Sequence, residues 1–380
     1  MVDFTLTDEQ KDLRELAHNF AEKEMRSVAW ELDKDGGWPQ EVINKAWEVG
    51  LMNTHVPEAY GGPGLDYLSG CLIEEEMGWG CSGIGTSLMA NGLASAPISL
   101  GGSEETKKKY LGMLTESPKL ASFCLTEPDA GSDVSGMKTK AVKKGDKYVI
   151  SGSKCFITNG TYADYFTVYA KTDPEAGHRG ISAFVVDADL PGVSVDKKED
   201  KMGQRASNTA TISFDEVEIP AENLIGEENK GFKLAMMTLD RTRPGVAAMG
   251  VGVGRAAMEF AIDYSKERVQ FGVPIAMHQA IQFMIADMET QTAAARAVVY
   301  HASQLIDDHA PGVTHFAALA KLLASDAAMK VTTDAVQVLG GYGYVNEYPV
   351  ERMMRDAKIT QIYEGTNQIQ RIVVARHLLK

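Results

Sequence analysis

The sequence predicts an α+β protein with an N-terminal helical domain, a central antiparallel β-barrel or sandwich domain, and a C-terminal helical bundle. Apolar residues recur at helical spacing through the first third and again after residue 228, while short β-branched and aromatic runs fill the interval between them. At 380 residues the chain exceeds the usual size of one hydrophobic core. The changes of pattern place domains at 1–120, 121–227 and 228–380, the last as a four-helix bundle.

The elements follow in order. Thr7 with Gln10 three residues on makes a capping box, and Leu13, Leu16, Ala17, Phe20 and Ala21 then lie on one helical face. Further helices are expected near 40–50, 67–78, 83–100 and 104–115, broken by the AYGGPGLDY loop at 59–67. From 147 to 220 the runs KYVISG, DYFTVYAKT, GISAFVVDA, GVSVDK and TATISFDEVEI are separated by Gly, Asp, Asn and Pro. These strands alternate with turns and not with helices, which disfavours a doubly wound parallel sheet. The stretches 244–268, 279–307 and 315–339 are each long enough for a bundle helix, and no internal repeat is visible.

Composition excludes several classes of function. The formal charge of −14 argues against non-specific phosphate binding, so no nucleic-acid partner is expected. Cys71, Cys81, Cys124 and Cys155 form no CxxC pair and read as buried thiols of a reducing compartment. The N-terminal MVDFTLTDEQKDL lacks a signal-peptide pattern, and no run of about 18 apolar residues suggests membrane insertion. A cytoplasmic protein is expected, or a mitochondrial matrix protein without its transit peptide. GVGVGR at 250–255 lacks the third glycine of a dinucleotide loop and lies in a helical segment, so its glycines read as close helix packing. With no P-loop, HExxH or GxSxG, and eight scattered histidines, neither metal nor nucleophilic-serine chemistry is expected.

Three segments carry more than structure requires. In QIYEGTNQIQR (361–371), Gly365 and Thr366 are poor helix material and Thr366 is a good N-cap, so Glu364 ends one element just before another. A carboxylate at such a junction is either an ordinary loop Glu or a desolvated base. FCLTEPDAGSD (123–133) offers hydroxyls and backbone donors around a proline turn, suited to a phosphate or a ring edge. KCFITNG (154–160) places an aromatic ring, a β-branched residue and Thr158 at a strand end.

Together with LDRTRPGVAA (239–248), ERVQFG (267–272), HQAI (278–281) and QVLGGYGY (337–344), in this order and spacing, these segments resemble the acyl-CoA dehydrogenases. The likeness runs from about residue 10 to the C-terminus and is nearest the medium-chain and short-chain members. It implies an FAD enzyme that introduces an α,β double bond into acyl-CoA thioesters, typically a homotetramer (a dimer of dimers) that passes electrons to electron-transferring flavoprotein in fatty-acid β-oxidation. Removing an α-proton and a β-hydride needs a base, an electron-pair acceptor and an acidifying contact to the thioester carbonyl. No side chain accepts hydride, hence FAD.

The resemblance assigns the base to Glu364, whose backbone N–H, with a flavin hydroxyl, receives the carbonyl oxygen. It places Phe123, Leu125, Thr126, Gly131 and Ser132 along the flavin, with Ser132 also near substrate. Phe156, Ile157 and Thr158 pack on the flavin ring; medium-chain members often carry Trp where this chain has Phe156, so stacking survives without an indole N–H. Asp240, Arg241, Thr242 and Arg243 meet the CoA portion. Arg268, Gln270, Phe271, His278, Gln279, Gln337, Gly340 and Gly341 reach the adenine dinucleotide of a flavin bound mainly by a neighbouring subunit. Thr366 and Gln368 add a further FAD contact, and Tyr363, Gly365 and Arg376 lie on the substrate side.

Thr242 is not acidic where the isovaleryl and long-chain branches carry their base, which disfavours those branches. The pocket floor, GIGTSLMANG at 83–92, has Gly85 and Met89 where medium-chain enzymes commonly have larger polar side chains, and a preference for medium-length straight acyl chains is expected. The competing readings are an oxygen-using acyl-CoA oxidase, marked by peroxide formation without added acceptor, a flavin-containing nucleic-acid-binding or stress-response module, disfavoured by the charge, and nitroalkane oxidation, in which the base resembles Asp.

Overall fold

The computed structural model describes residues 5–379; the first four residues of the N-terminal segment lie outside the described residues. Helix α1 (Asp8–Phe20) carries the expected capping box: Gln10 N–H donates to Thr7 Oγ1 at 3.2 Å and Thr7 N–H to Gln10 Oε1 at 3.1 Å. A π-helical stretch, Ala21–Arg26, joins it to α2 (Ser27–Asp35), followed by α3 (Gln40–Glu48), α4 (Tyr67–Gly101) and α5 (Glu104–Glu116). The helices expected at 67–78 and 83–100 together make up α4, which is kinked between them at Cys81, where φ is −166° and ψ 112°. Residues on both sides of that kink are buried along nearly the whole of α4.

Eight strands follow: β1 (Ala121–Cys124), β2 (Lys140–Lys144), β3 (Lys147–Thr158), β4 (Tyr165–Lys171), β5 (Ile181–Asp187), β6 (Val193–Lys198), β7 (Thr209–Pro220) and β8 (Leu224–Ile225). They pair in the order β6-β7-β3-β2-β4-β5-β8, with β1 beside β4. Most pairs are antiparallel, but β1 and β2 each run parallel to β4, so the sheet is mixed, and no ladder among the described residues closes it into a barrel. Strands β4 and β5 are buried on both faces, which explains their near-continuous apolar runs. Tyr165 and Tyr169 pack with Tyr110, Leu111 and Leu114 of α5, whereas Phe166 and Val168 pack with Ile150, Ile212 and Phe214 of β3 and β7.

Helix α6 runs Gly231–Glu267, thirteen residues earlier than its expected start at 244, and carries Pro244 inside. An interior proline costs about 3 kcal/mol of helix stability; tertiary packing overrides it, because α6 lies against both α4 and α8. By length and composition α6 could cross a membrane, yet its apolar window is 78% buried within the fold. The glycines of GVGVGR do serve close packing: a Cβ on Gly252 would come within 1.9 Å of the Glu75 carbonyl oxygen of α4. A short hairpin, β9 (Val269–Gln270) with β10 (Val273–Pro274), leads to α7 (Gln279–Asp307), α8 (Val313–Leu339), α9 (Val350–Thr360) and α10 (Asn367–Leu378). One core joins α1, α4, α6, α8 and α9, so N-terminal and C-terminal helices share their apolar interior.

Candidate active site

A cavity of about 600 Å³ opens where α4, α6, the ends of β1 and β3, and the loop between α9 and α10 converge. Its wall includes Phe123, Leu125, Thr126, Gly131 and Ser132 from the first strand and the turn after it, and Phe156, Ile157 and Thr158 from the end of β3. The turn is pinned from beneath. Lys154, fully buried, donates from Nζ to Glu127 Oε1 at 2.7 Å and to the Leu125 carbonyl at 3.1 Å, and Glu127 also accepts the Thr139 N–H. A buried ion pair with its remaining valences met holds a unique geometry. The end of β3 is bulged between Lys154 and Ile157, with Phe156 at φ 58°, so the ring turns out of the sheet and is 65% exposed. A β-branched or aromatic residue at positive φ is strained, and such strain collects at functional sites.

Glu364 also has a left-handed backbone, φ 53°, followed by Gly365 at φ 91°. The strain is held by a network of donors. The Glu364 carbonyl accepts Arg243 Nε at 3.3 Å and Gln370 Nε2 at 3.1 Å; the Gly365 carbonyl accepts Lys321 Nζ at 2.8 Å and Gln370 Nε2 at 3.0 Å. Lys321, fully buried on α8, also donates to Asn367 Oδ1 at 3.0 Å, and Thr366 caps α10 by accepting the Ile369 N–H at 3.3 Å. The Glu364 N–H finds no protein acceptor among the described residues. Thr242 Oγ1 donates to Glu364 Oε2 at 3.0 Å.

Burial pushes the Glu364 carboxyl up to about 7, against the Thr242 hydrogen bond and the Arg243 and Lys321 charges, which favour the ionised form. Burial lowers Lys321 to about 8 and raises Tyr363 to about 12. A carboxyl poised near neutrality, fixed by one hydroxyl and lying beside an open backbone donor, has the properties of a general base.

The structure thus brings fourteen of the expected residues onto one wall: the eight flavin-side positions above, with Arg241, Thr242, Arg243, Tyr363, Glu364 and Gly365. Met89 joins them. Gly85 does not: its missing side chain points at Met77, whose Cβ would lie 3.1 Å away, so the expectation that Gly85 deepens the pocket is corrected. Asp240 stands behind the wall, where Oδ1 accepts Arg243 Nη1 at 2.7 Å. Gln368 and Arg376 are exposed on α10, and neither they nor the cap residue Thr366 line the cavity.

Arg268, Gln270, Phe271, His278, Gly340 and Gly341 gather around a second hollow that shares no residue with the first. Phe271 is 94% exposed at φ 54°, its ring edge-on to His278, and Arg268 lies 5.3 Å over the Tyr342 ring. Gln279 and Gln337 are exposed and do not line this hollow.

Sequence reasoning missed Lys321, Gln370 and Glu74. A lone cation among alanines in ALAKLLASDAA marks a buried lysine. Glu74 opens a run of three glutamates on an apolar helix, and only the next two have arginine partners.

Family models match the chain in three consecutive pieces: the acyl-CoA dehydrogenase N-terminal domain over residues 7–117, the middle domain over 122–217 and the C-terminal domain over 229–379. The short-chain-specific acyl-CoA dehydrogenase of Megasphaera elsdenii is 48% identical over 384 residues, covering 100% of both chains. The solved butyryl-CoA dehydrogenase of the same organism superposes with a TM-score of 0.97 at 48% identity, covering 100% of each chain. A chain of an Acidaminococcus fermentans structure, described as electron transferring flavoprotein and directed at flavin-based electron bifurcation, is 50% identical with a TM-score of 0.97 and covers 100% of each chain. The chain therefore belongs to the acyl-CoA dehydrogenase family, as an FAD-dependent oxidoreductase.

Proposed function

We propose that the protein dehydrogenates a short acyl-CoA thioester, with Glu364 removing the α-proton. The observation that supports this best is the Glu364 junction: a carboxyl raised to about 7 by burial, tied to Thr242, on a strained turn with a free N–H. The residues fit FAD on this chain's own features. The outward Phe156 ring offers a stacking face, and a Cβ on Gly131 would meet nothing within 4 Å, leaving bare backbone at the wall. Phe123, Leu125, Thr126, Gly131, Ser132, Phe156, Ile157 and Thr158 would hold the flavin end, and FAD supplies the hydride acceptor when bound. Glu364 takes the proton on a carboxylate oxygen, while its N–H polarises the thioester carbonyl and stabilises the developing enolate. Arg241, Thr242 and Arg243 line the entrance used by the CoA portion, with Asp240 acting through Arg243.

The medium-chain expectation rested on Gly85 together with Met89, of which only Met89 is on the wall, whereas the Megasphaera relatives are named for short-chain and butyryl substrates. Short chains are the better reading. The second hollow, with Phe271 exposed and Arg268 and His278 beside it, supports a neighbouring subunit's dinucleotide and hence a dimer-based homotetramer. Gln279, Gln337 and Gln368 are exposed and Thr366 is half-buried at the α10 cap, and all four are assigned to that assembled site; Arg376 is the weakest of the substrate-side assignments. The Acidaminococcus likeness supports electron-transferring flavoprotein as acceptor, and the four buried thiols fit a soluble enzyme of the cytoplasm. Turnover of butyryl, octanoyl and palmitoyl thioesters with a dye acceptor tests the reading: a maximum at butyryl supports it, one at palmitoyl defeats the chain-length assignment, and peroxide formation without acceptor points to an oxidase.

A further inference from the structure

Residues Glu74, Glu75 and Glu76 are consecutive on α4 but have different surroundings. Glu75 is bound by Arg296 at 2.9 Å and Arg255 at 2.7 Å, and Glu76 by Arg255 and by His18 at 2.8 Å. Glu74 has no hydrogen bond or ion pair among the described residues, although it lines the main cavity. Its carboxyl lies directly against α6 at Gly245, where a Cβ would come within 2.1 Å of Oε2 and 2.7 Å of Cδ. Any side chain at 245 would push the carboxyl out of this position. Gly245 is three residues, about one helical turn, after Thr242, whose hydroxyl holds Glu364. Glu74 therefore reaches the cavity beside the reacting end of the substrate. Tyr67 and Cys71, at helical spacing on the same face of α4, continue the polar stripe along the wall.

An unmet carboxyl in an apolar cavity is costly, and burial leaves such groups paired or neutral unless a ligand meets them. We propose that Glu74 is a specificity-determining residue that hydrogen-bonds an uncharged hydroxyl or oxo substituent near the reacting carbons of the acyl group, so that the preferred thioester is not a plain alkanoyl one. This rests on the dehydrogenase reading of the same cavity. The groups facing Glu74 agree with an uncharged ligand. Burial first, and then the Glu364 carboxylate, raise it to about 8, so near neutral pH it is a carboxylic acid, both donor and acceptor. Its own helix adds the Tyr67 phenol and the Cys71 thiol, the latter held well above its usual range by burial, and Arg243 on α6 is committed to Asp240 and to the Glu364 carbonyl. His55, Arg241, His178, Asp133 and Tyr363 are the remaining titratable residues on the wall.

The test compares kcat/KM for 4-hydroxybutyryl-CoA and pentanoyl-CoA, which match in heavy-atom number, using holoenzyme. Wild type is expected to favour the hydroxy thioester, a ratio of one or more. In Glu74→Leu that ratio should fall by about 10- to 100-fold, the usual discrimination when a hydroxyl loses its partner, with the pentanoyl value rising. Gly245→Ala, whose methyl displaces the carboxyl, should move the ratio the same way and stands in if Glu74→Leu does not fold. A wild-type ratio below one, or a ratio unchanged in the variants, overturns the proposal while leaving the dehydrogenase reading intact. If wild type oxidises neither thioester, the dehydrogenase reading fails and the proposal with it.

Discussion

Replacing Lys321 by Met separates the chemistry of the Glu364 turn from the stability of the fold. The ammonium is fully buried and depressed from 10.5 to about 8. At about 1.4 kcal/mol per unit, holding it charged near neutral pH costs on the order of 3 kcal/mol. The sign follows from the lowered value: the unfolded chain binds this proton more tightly, so Lys321 detracts from stability below about pH 8, and stability recovers between about 8 and 10.5. Methionine removes that cost. It also removes donors from the Gly365 carbonyl and Asn367 Oδ1, but Gln370 still serves the first and Ser325 the second, so the loss is about 1 kcal/mol each. The terms nearly cancel, and thermal unfolding near pH 7 should move by no more than a few degrees.

Catalysis should respond differently to that substitution. The turn that sets Glu364 at φ 53° loses its only charged donor on the Gly365 carbonyl while Gln370 and Arg243 remain, and misplacing a reacting group by about 1 Å costs about 100-fold in kcat. Loss of the nearby cation should also move the acid limb of the kcat profile to higher pH, by on the order of one unit. Steady-state assays across pH, paired with thermal melts, check both. A large drop in melting temperature with an unmoved pH profile would refute the positioning role.

Other outcomes follow from the same geometry. Thr242→Ala deletes the hydrogen bond that favours the Glu364 carboxylate and should shift the acid limb above about 7, measured from kcat against pH; an acid shift contradicts it. Glu364 titrates higher folded than unfolded, so its favourable contribution is complete below the unfolded value and lost as pH rises through about 7. Glu364→Gln should therefore melt higher than wild type at alkaline pH and about equally at pH 5, by differential scanning fluorimetry. Gly252→Ala drives a methyl to 1.9 Å from the Glu75 carbonyl and should lose about 3 kcal/mol or more in denaturant titrations. Phe271→Ala should weaken the assembly and flavin retention together, read by mass photometry and absorbance; a fully flavinated tetramer counts against the second hollow as a shared site.

Periodicity located most helices because each buries one stripe, as α1 does behind its capping box. It placed the start of α6 too late, since burial on nearly every side erases the stripe and lets Pro244 sit inside the helix, whereas the break it put in α4 coincides with the kink at Cys81. The parallel pairings of β1 and β2 with β4 were invisible because pairing is a long-range choice. Of the site, the segments were legible as unusual runs, and the family resemblance supplied the roles. The left-handed backbones of Phe156 and Glu364, the support from Lys321 and the unpaired Glu74 were not, because each depends on residues distant in sequence meeting around one cavity. Gly85 shows the converse: a position inferred from likeness that does not line the cavity and where an added Cβ would meet Met77.

The central claim is that Glu364 takes the α-proton, and anaerobic rapid mixing of holoenzyme with butyryl-CoA tests it most directly. With flavin absorbance followed between about pH 5.5 and 9, wild type should bleach at a rate that climbs with a midpoint near 7. Glu364→Gln, still yellow, should bleach about 100- to 10,000-fold more slowly. A wild-type rate that is flat across neutral pH, or a Glu364→Gln enzyme that bleaches as fast as wild type, would contradict the account.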